Sequence, residues 1–186
     1  MTMIFKMKQV RWTISLAVIF LLVGCKSEPS SPAAEGAMNM AISIKSTAFT
    51  EGGAIPRLYT CDDQNVSLPL AWSEVPSGTL SLALILDDPD APSGTFVHWV
   101  LFNLPPTLTG LDQGKNGGGT EGINDFRKVA YSGPCPPRGS NHRYFVKLYA
   151  LDTLLDLKYG SSKAQLESAM RGHILAQGQL MGRYGR

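Results

Sequence analysis

The chain has three histidines, and two of them stand inside dense clusters of residues that can carry chemistry. The first cluster is Asp87-Asp88-Pro89-Asp90-Ala91-Pro92, followed by Val97-His98-Trp99. The second is Gly133-Pro134-Cys135-Pro136-Pro137, then Gly139 and His142-Arg143-Tyr144. Imidazoles and a phenol can donate hydrogen bonds to an oxyanion, and a carboxylate beside an imidazole sets its tautomer and charge. Pro89 and Pro92 fix φ and remove backbone donors, which stiffens the loop that carries the acids. Gly133 lets a ligand approach the backbone, and the neighbouring prolines leave their loop little freedom to lose on binding. A carboxylate buried at a strand end needs a partner, and His98 is a reasonable one for Asp88. Asp88, Asp90, His98, Gly133, Pro134, His142 and Tyr144 thus make a cradle for a phosphate or carboxylate. The same residues fit a second reading equally well: Asp88 and Asp90 as turn-forming residues beside proline, His98 and His142 as satisfied core histidines. His173, just after Gly172, is assigned to ordinary structure.

Other chemistries have less support. There is no G-x-S-x-G elbow, no Walker loop and no G-x-G-x-x-G after a strand. Gly117-Gly118-Gly119 has no helix behind it and is a weak phosphate loop. No H-x-x-x-H or cysteine pair at ligand spacing points to a metal, and Cys135 is not part of a redox C-x-x-C. No cofactor is implied.

The elements that must position these residues read mainly as strands. Ala41 to Phe49 alternates, with Ile42 and Ile44 on one side. In Leu80 to Asp87 the even-numbered leucines share a face, and counting on by twos ends that row in Asp88. Phe96 to Leu104 is apolar on both faces, as in a strand buried between layers. His142 to Leu151 puts His142, Tyr144, Val146 and Leu148 on one side. Turn clusters rich in Pro, Gly, Asp and Ser separate the runs, at residues 75–78, 87–94 and 115–119. One helix is expected late, capped by Ser162 with Gln165, striped by Leu166, Ala169 and Met170, and ended by Gly172. From Ile174 to Tyr184 the period returns to two, in a strand that its glycines should weaken. Many strands with such punctuation favour a mainly β fold, a β-sandwich with a short helix near the C-terminus.

The ends bear on location. Lys6, Lys8 and Arg11 precede the apolar run Thr13 to Val23, and Leu22-Val23-Gly24-Cys25 follows the pattern of a lipobox. Residues 1–24 are therefore expected to be a lipoprotein signal peptide, too short for a comfortable membrane span of about 20 apolar residues. Cys25 would carry the lipid, and the Ser/Pro/Ala/Gly-rich residues 25–40 would serve as a flexible tether to a domain at 41–186. Without the three leader cations the chain has 14 Lys+Arg against 15 Asp+Glu, a formal −1, so no basic footprint for nucleic acid remains. Export places Cys61 and Cys135 in an oxidising compartment, where they are candidates for a disulfide; two separate buried thiols are the alternative. Lys26 after the acylated cysteine leans weakly toward the outer membrane.

D-P-D-A-P followed by H-W, then G-P-C-P-P, H-R-Y and L-Y-A-L-D, resembles the phosphatidylethanolamine-binding protein family, and more narrowly its bacterial Raf kinase inhibitor-like branch. Tyr59-Thr60-Cys61-Asp62, Pro69 to Ser73, Asn124-Asp125-Phe126 and Gly182 to Arg186 add to the resemblance, which runs in order over essentially all of 41–186. It implies an antiparallel β-sandwich with a shallow anion pocket lined by Asp88, Asp90, His98, His142, Tyr144 and the Gly133-Pro134 backbone. The eukaryotic C-terminal helix that closes the pocket has no match here. The expected function is a non-enzymatic binding protein, lipid-anchored with its domain in the periplasm, that recognises a small anion or phospholipid headgroup. The alternatives are an inhibitor or modulator of an envelope protein such as a protease and, ranked last for want of a nucleophile, a hydrolase.

Overall fold

The computed structural model describes residues 40–186. The expected signal peptide, Cys25 and all of the tether but Met40 lie outside the described residues. Nine strands form among the described residues: β1 (Met40–Ala41), β2 (Ser43–Lys45), β3 (Leu70–Ser73), β4 (Ser81–Asp88), β5 (Phe96–Leu104), β6 (Gly110–Leu111), β7 (Thr120–Glu121), β8 (Asn141–Leu151) and β9 (Ile174–Gly185). They make a six-stranded sheet in the order β1-β9-β8-β4-β5-β7 and a three-stranded sheet in the order β2-β3-β6. Every pairing is antiparallel except that of β1 with β9, which is parallel. The chain is a mainly β protein of antiparallel sheets with one helix near its C-terminus, α1 (Lys163–Ala169).

The two faces of the large sheet bury different clusters. Leu82, Leu84 and Leu86 of β4 join Trp99, Leu101, Val146 and Leu148 against Ile44, Leu70 and Trp72 of the small sheet. On the other face Ala83 and Ile85 pack with Val97, Val100 and Phe102 against Leu166 and Met170 of α1 and its flank. All eight residues of β4 are buried, because a layer covers each side of that strand. Leu80, counted with the apolar row, lies just before the strand and is 56% exposed.

Helix α1 forms where its cap predicts. Ser162 Oγ accepts from the Gln165 N–H while Gln165 Oε1 accepts from the Ser162 N–H, and Gly172 at φ +82° turns the chain out afterwards. The glycines of β9 do not shorten it: it runs twelve residues. Gly178 and Gly182 lie where the other layer comes closest. A Cβ on Gly178 would collide with the Ile42 carbonyl, and one on Gly182 would lie 2.6 Å from Ile55 Cγ1 and 2.7 Å from Phe49 Cε2. Gly117 and Gly119 fit closely against leucine side chains, including that of Leu104, so the glycine run is a packing turn and not a phosphate loop.

Between β4 and β5 the register slips twice. At one slip Leu86 pairs with Trp99 while Asp87 pairs with Val97, leaving His98 as the extra residue of a bulge. Val97 and Val100 face the α1 side, and Trp99 and Leu101 face the small sheet. The extra residue lets His98 leave on the same side as Trp99, where strict alternation would have put the two on opposite faces.

Candidate functional site

At the end of the inner face, three of the strands stop being apolar together. The row Leu82, Leu84, Leu86 of β4 ends in Asp88. The row Leu148, Val146 of β8 ends in Tyr144 and His142, and the bulge of β5 supplies His98. Asp88, His98 and His142 are 3%, 2% and 7% exposed, and all three reach the wall of a cavity of about 320 Å³. The rest of that wall is largely apolar: Ala91, Pro92 and Phe96 on one side, Phe126, Pro136 and Pro137 on the other, with Cys135 at its edge.

Each polar group is held by named partners. Asp88 Oδ2 accepts from His142 Nδ1 at 2.8 Å, and Asp88 Oδ1 accepts from the Asp90 N–H at 2.8 Å. The carboxylate is therefore both the partner of a histidine and the acceptor of a turn in its own loop. His98 Nδ1 lies 2.7 Å from the Ser132 carbonyl and 3.1 Å from that of Gly133, two acceptors, so Nδ1 carries the hydrogen. Burial holds the His98 pKa below its ordinary value, outweighing the two carbonyls and Asp88, so the ring is neutral at pH 7 and its Nε2 presents a lone pair. Tyr144 lies under His98, ring edge to face at 5.3 Å, and is 1% exposed. Its hydroxyl has no hydrogen-bond partner among the described residues. Burial, with help from the Asp88 charge, raises its pKa, so it remains a donor across the ordinary pH range.

The loops around the cavity are tied down. Asn124 Nδ2 donates to the carbonyls of His98 and Ala130 and to Ser132 Oγ, and the Ser132 N–H donates to the His98 carbonyl. Asp125 closes a reciprocal pair with Val97: its Oδ2 accepts from the Val97 N–H and its own N–H donates to the Val97 carbonyl. Tyr131 Oη donates to the Tyr59 carbonyl. Cys61 is joined to Cys135, with Cα atoms 5.4 Å apart, which staples the turn after Tyr59 to the proline loop. Phe96, His98 and Phe126 form a cluster of tilted and edge-on rings 4.8 to 5.5 Å apart at the mouth.

A family model for phosphatidylethanolamine-binding protein matches residues 45–185. The chain belongs to the phosphatidylethanolamine-binding protein family. A UPF0098 protein of Methanothermobacter thermautotrophicus is 50% identical over 151 residues, covering 78% of this chain and 99% of that one. Another from Aquifex aeolicus is 45% identical over 158 residues, covering 77% of this chain and 88% of its own length. The crystal structure of a phosphatidylethanolamine-binding protein homologue from Chlamydia trachomatis superposes with a TM-score of 0.75 at 40% identity, covering 78% of this chain and 98% of the other. That of Escherichia coli YbcL, described as a member of the mammalian family, gives 0.73 at 30% identity with the same coverage.

Against the expected cradle, the fold of this chain brings three of seven residues to the cavity wall, Asp88, His98 and His142. The partner of Asp88 is His142, not His98, because the bulge turns His98 toward the 132–133 carbonyls. Asp90 points away: its carboxylate takes Arg143 through Nε at 2.9 Å and Nη2 at 2.6 Å and the Arg143 N–H at 2.9 Å. The Arg143 side chain is the main cause of an Asp90 pKa far below the usual carboxylate range. Asp90 thus fixes the loop to β8. Gly133 and Pro134 do not line the cavity either. Gly133 lacks a side chain because a Cβ would strike the Tyr59 carbonyl, so the close approach there is by the protein and not by a ligand. Tyr144 forms the layer beneath His98. His173 pairs with Asp152 in solvent.

Phe96, Phe126, Pro136 and Pro137 were not among the expected site residues, nor was Ser132 as the acceptor for His98. Phe96 is the first, half-buried residue of β5, and Phe126 stands in a polar turn of no period. An aromatic residue stranded among turn formers is the one sequence signal that could have raised Phe126.

Proposed function

We propose that this chain is a binding protein of the cell envelope that holds a small acidic group, a phosphate, carboxylate or phospholipid headgroup, in the cavity above Asp88, His98 and His142. One observation carries the reading: three buried polar side chains, two of them in a direct Asp88–His142 pair, line a largely apolar-walled cavity of about 320 Å³. Buried polar groups are costly, and a cavity that gathers them within a largely apolar wall suits a ligand with a polar head and an apolar stem. The leader, with its basic start, apolar run and Leu22-Val23-Gly24-Cys25, supports export and lipid attachment at Cys25, with the outer membrane preferred. Relatives named for phosphatidylethanolamine binding make a phospholipid headgroup a natural first probe.

The test is a titration of the full chain with inorganic phosphate and with phosphoethanolamine while the three imidazoles are followed by NMR. His98 and His142 should shift and saturate while His173 stays still. If neither ring responds to any anion, the proposal fails. A second reading, an inhibitor or modulator that docks on another envelope protein, is favoured by Phe126, which is 38% exposed at the mouth beside Pro136 and Pro137. That reading requires loss of docking in Phe126→Ala with small-anion binding intact.

A further inference from the structure

Behind the proline loop lies a second hollow, of about 340 Å³, whose charge differs from that of the first. Arg57, Arg138 and Arg186 line it around a single carboxylate, Asp62, beside Tyr184. Asp62 is already satisfied: it accepts from Tyr184 Oη at 2.6 Å and pairs with Arg186 Nη2 at 3.0 Å. These contacts, the tyrosine hydroxyl foremost, hold its pKa below the ordinary value, so it is ionised. Arg57 Nη2 donates to the Asp62 carbonyl at 3.2 Å. Among the described residues neither Arg57 nor Arg138 is in an ion pair. Guanidinium does not deprotonate in proteins. Three such charges outnumber the Asp62 carboxylate and leave the rim positive, which suits an oxyanion.

The segments that carry the arginines are fixed. The Arg57 carbonyl accepts from the Thr60 N–H and from Thr60 Oγ1. The Arg186 N–H donates to the Ser140 carbonyl, and the Arg186 backbone oxygen accepts from the Gly139 N–H at 2.7 Å, binding Arg186 to the turn that presents Arg138. The Cys61–Cys135 bond and the Cys61 N–H to Pro134 carbonyl bond join both sides. Arrangements ordered in advance lose less on binding, and planar guanidinium forks match phosphoryl oxygens two at a time.

We propose that the Arg57–Arg138–Arg186 hollow is a second anion site, selective for a phosphate monoester in its dianionic form. Cys135 and Pro136 are the partition between the two hollows: they line the first, and Arg186 Nη1 lies 3.5 Å from Cys135 Sγ and from the Pro136 carbonyl. The sites are told apart by pH. The neutral His98 offers a lone pair, so the first site needs a proton on the ligand or on the ring. The arginine site has no lone pair to protect and strengthens as the ester loses its second proton, near pH 6.

The test is an NMR titration of the full chain with glycerol phosphate at pH 5 and pH 8, reading residues 57, 138 and 186. A saturating response is expected, tighter at pH 8, kept in His98→Ala, and weakened roughly tenfold or more in Arg57→Ala/Arg138→Ala. A non-saturating drift, an equal response to chloride, or affinity indifferent to the double substitution overturns the proposal. A headgroup source is separated from a soluble one by sedimentation with phosphatidylcholine vesicles with and without phosphatidic acid. Sedimentation that needs both phosphatidic acid and the two arginines assigns the site to a lipid surface, whereas glycerol phosphate binding without it assigns a soluble ester. Loss of response at His98 and His142 alone would sink only the first site.

Discussion

The tautomer of His98 has a measurable thermodynamic consequence. Its Nδ1 hydrogen is committed to the Ser132 and Gly133 carbonyls, and burial keeps the ring neutral. The nitrogen left for a ligand is therefore an acceptor. A phosphate oxygen can meet it only if one hydrogen is added, to Nε2 or to the ester. Binding of a dianionic phosphate monoester to the His/Asp cavity should then take up one proton. By linkage, its affinity should fall about tenfold, or about 1.4 kcal/mol, for each pH unit above the ester's second ionisation near pH 6. Isothermal titration calorimetry at one pH in two buffers of different ionisation heat counts the protons directly. The Arg57→Ala/Arg138→Ala background keeps the second hollow silent. A count near one, reduced toward zero in His98→Ala, is the expected result. A count of zero in the parent, or an affinity flat from pH 7 to pH 9, refutes the assignment of the Nδ1–H tautomer.

Other outcomes follow from the same contacts. Because the fold lowers the His98 pKa from 6.5, the native state binds fewer protons than the unfolded chain. The stability this ring contributes is complete above about pH 6.5 and is lost progressively as pH falls from there through the lower pKa of the folded state. Denaturant midpoints between pH 7 and pH 5 should therefore decline less steeply in His98→Gln than in the parent. Breaking Cys61–Cys135, which are 74 residues apart in sequence, removes a constraint worth about 4 kcal/mol in the chain-entropy model. A urea melt with and without reductant should show that order of loss, and an unmoved midpoint would contradict it. Gly133→Ala must displace the Tyr59 carbonyl and with it the acceptor of His98. It should lower stability by about 1–3 kcal/mol and broaden the His98 imidazole resonance, both read in one thermal and one NMR series. Ser162→Ala should cost about 1 kcal/mol by circular dichroism melting and leave the anion sites untouched.

Much of this arrangement is legible in the residues, up to a definite point. Period two along β8 puts His142 and Tyr144 on the core side, and the same counting carries the leucine row of β4 to Asp88. The Ser162–Gln165 cap marks the helix start because both reciprocal bonds are local. What could not be counted is the bulge, since one extra residue in β5 is invisible to a periodic pattern and reverses the aim of His98. Asp90 looked equal to Asp88 because both stand beside proline. Only pairing across to β8 gives Arg143 to one and His142 to the other. The glycine at 133 signalled a close approach correctly, but its type cannot say whether a ligand or a carbonyl comes near.

The bulge at His98 has a further consequence for how the sheet and the site constrain each other. The residue that makes the strand irregular is also the one that gives the cavity its neutral acceptor. Deleting His98 would let Val97 and Trp99 follow one another against Asp87 and Leu86, and the ladder would become more regular. The same deletion would leave the Ser132 and Gly133 carbonyls without a donor. At this position, regular strand pairing and pocket chemistry are competing uses of a single residue.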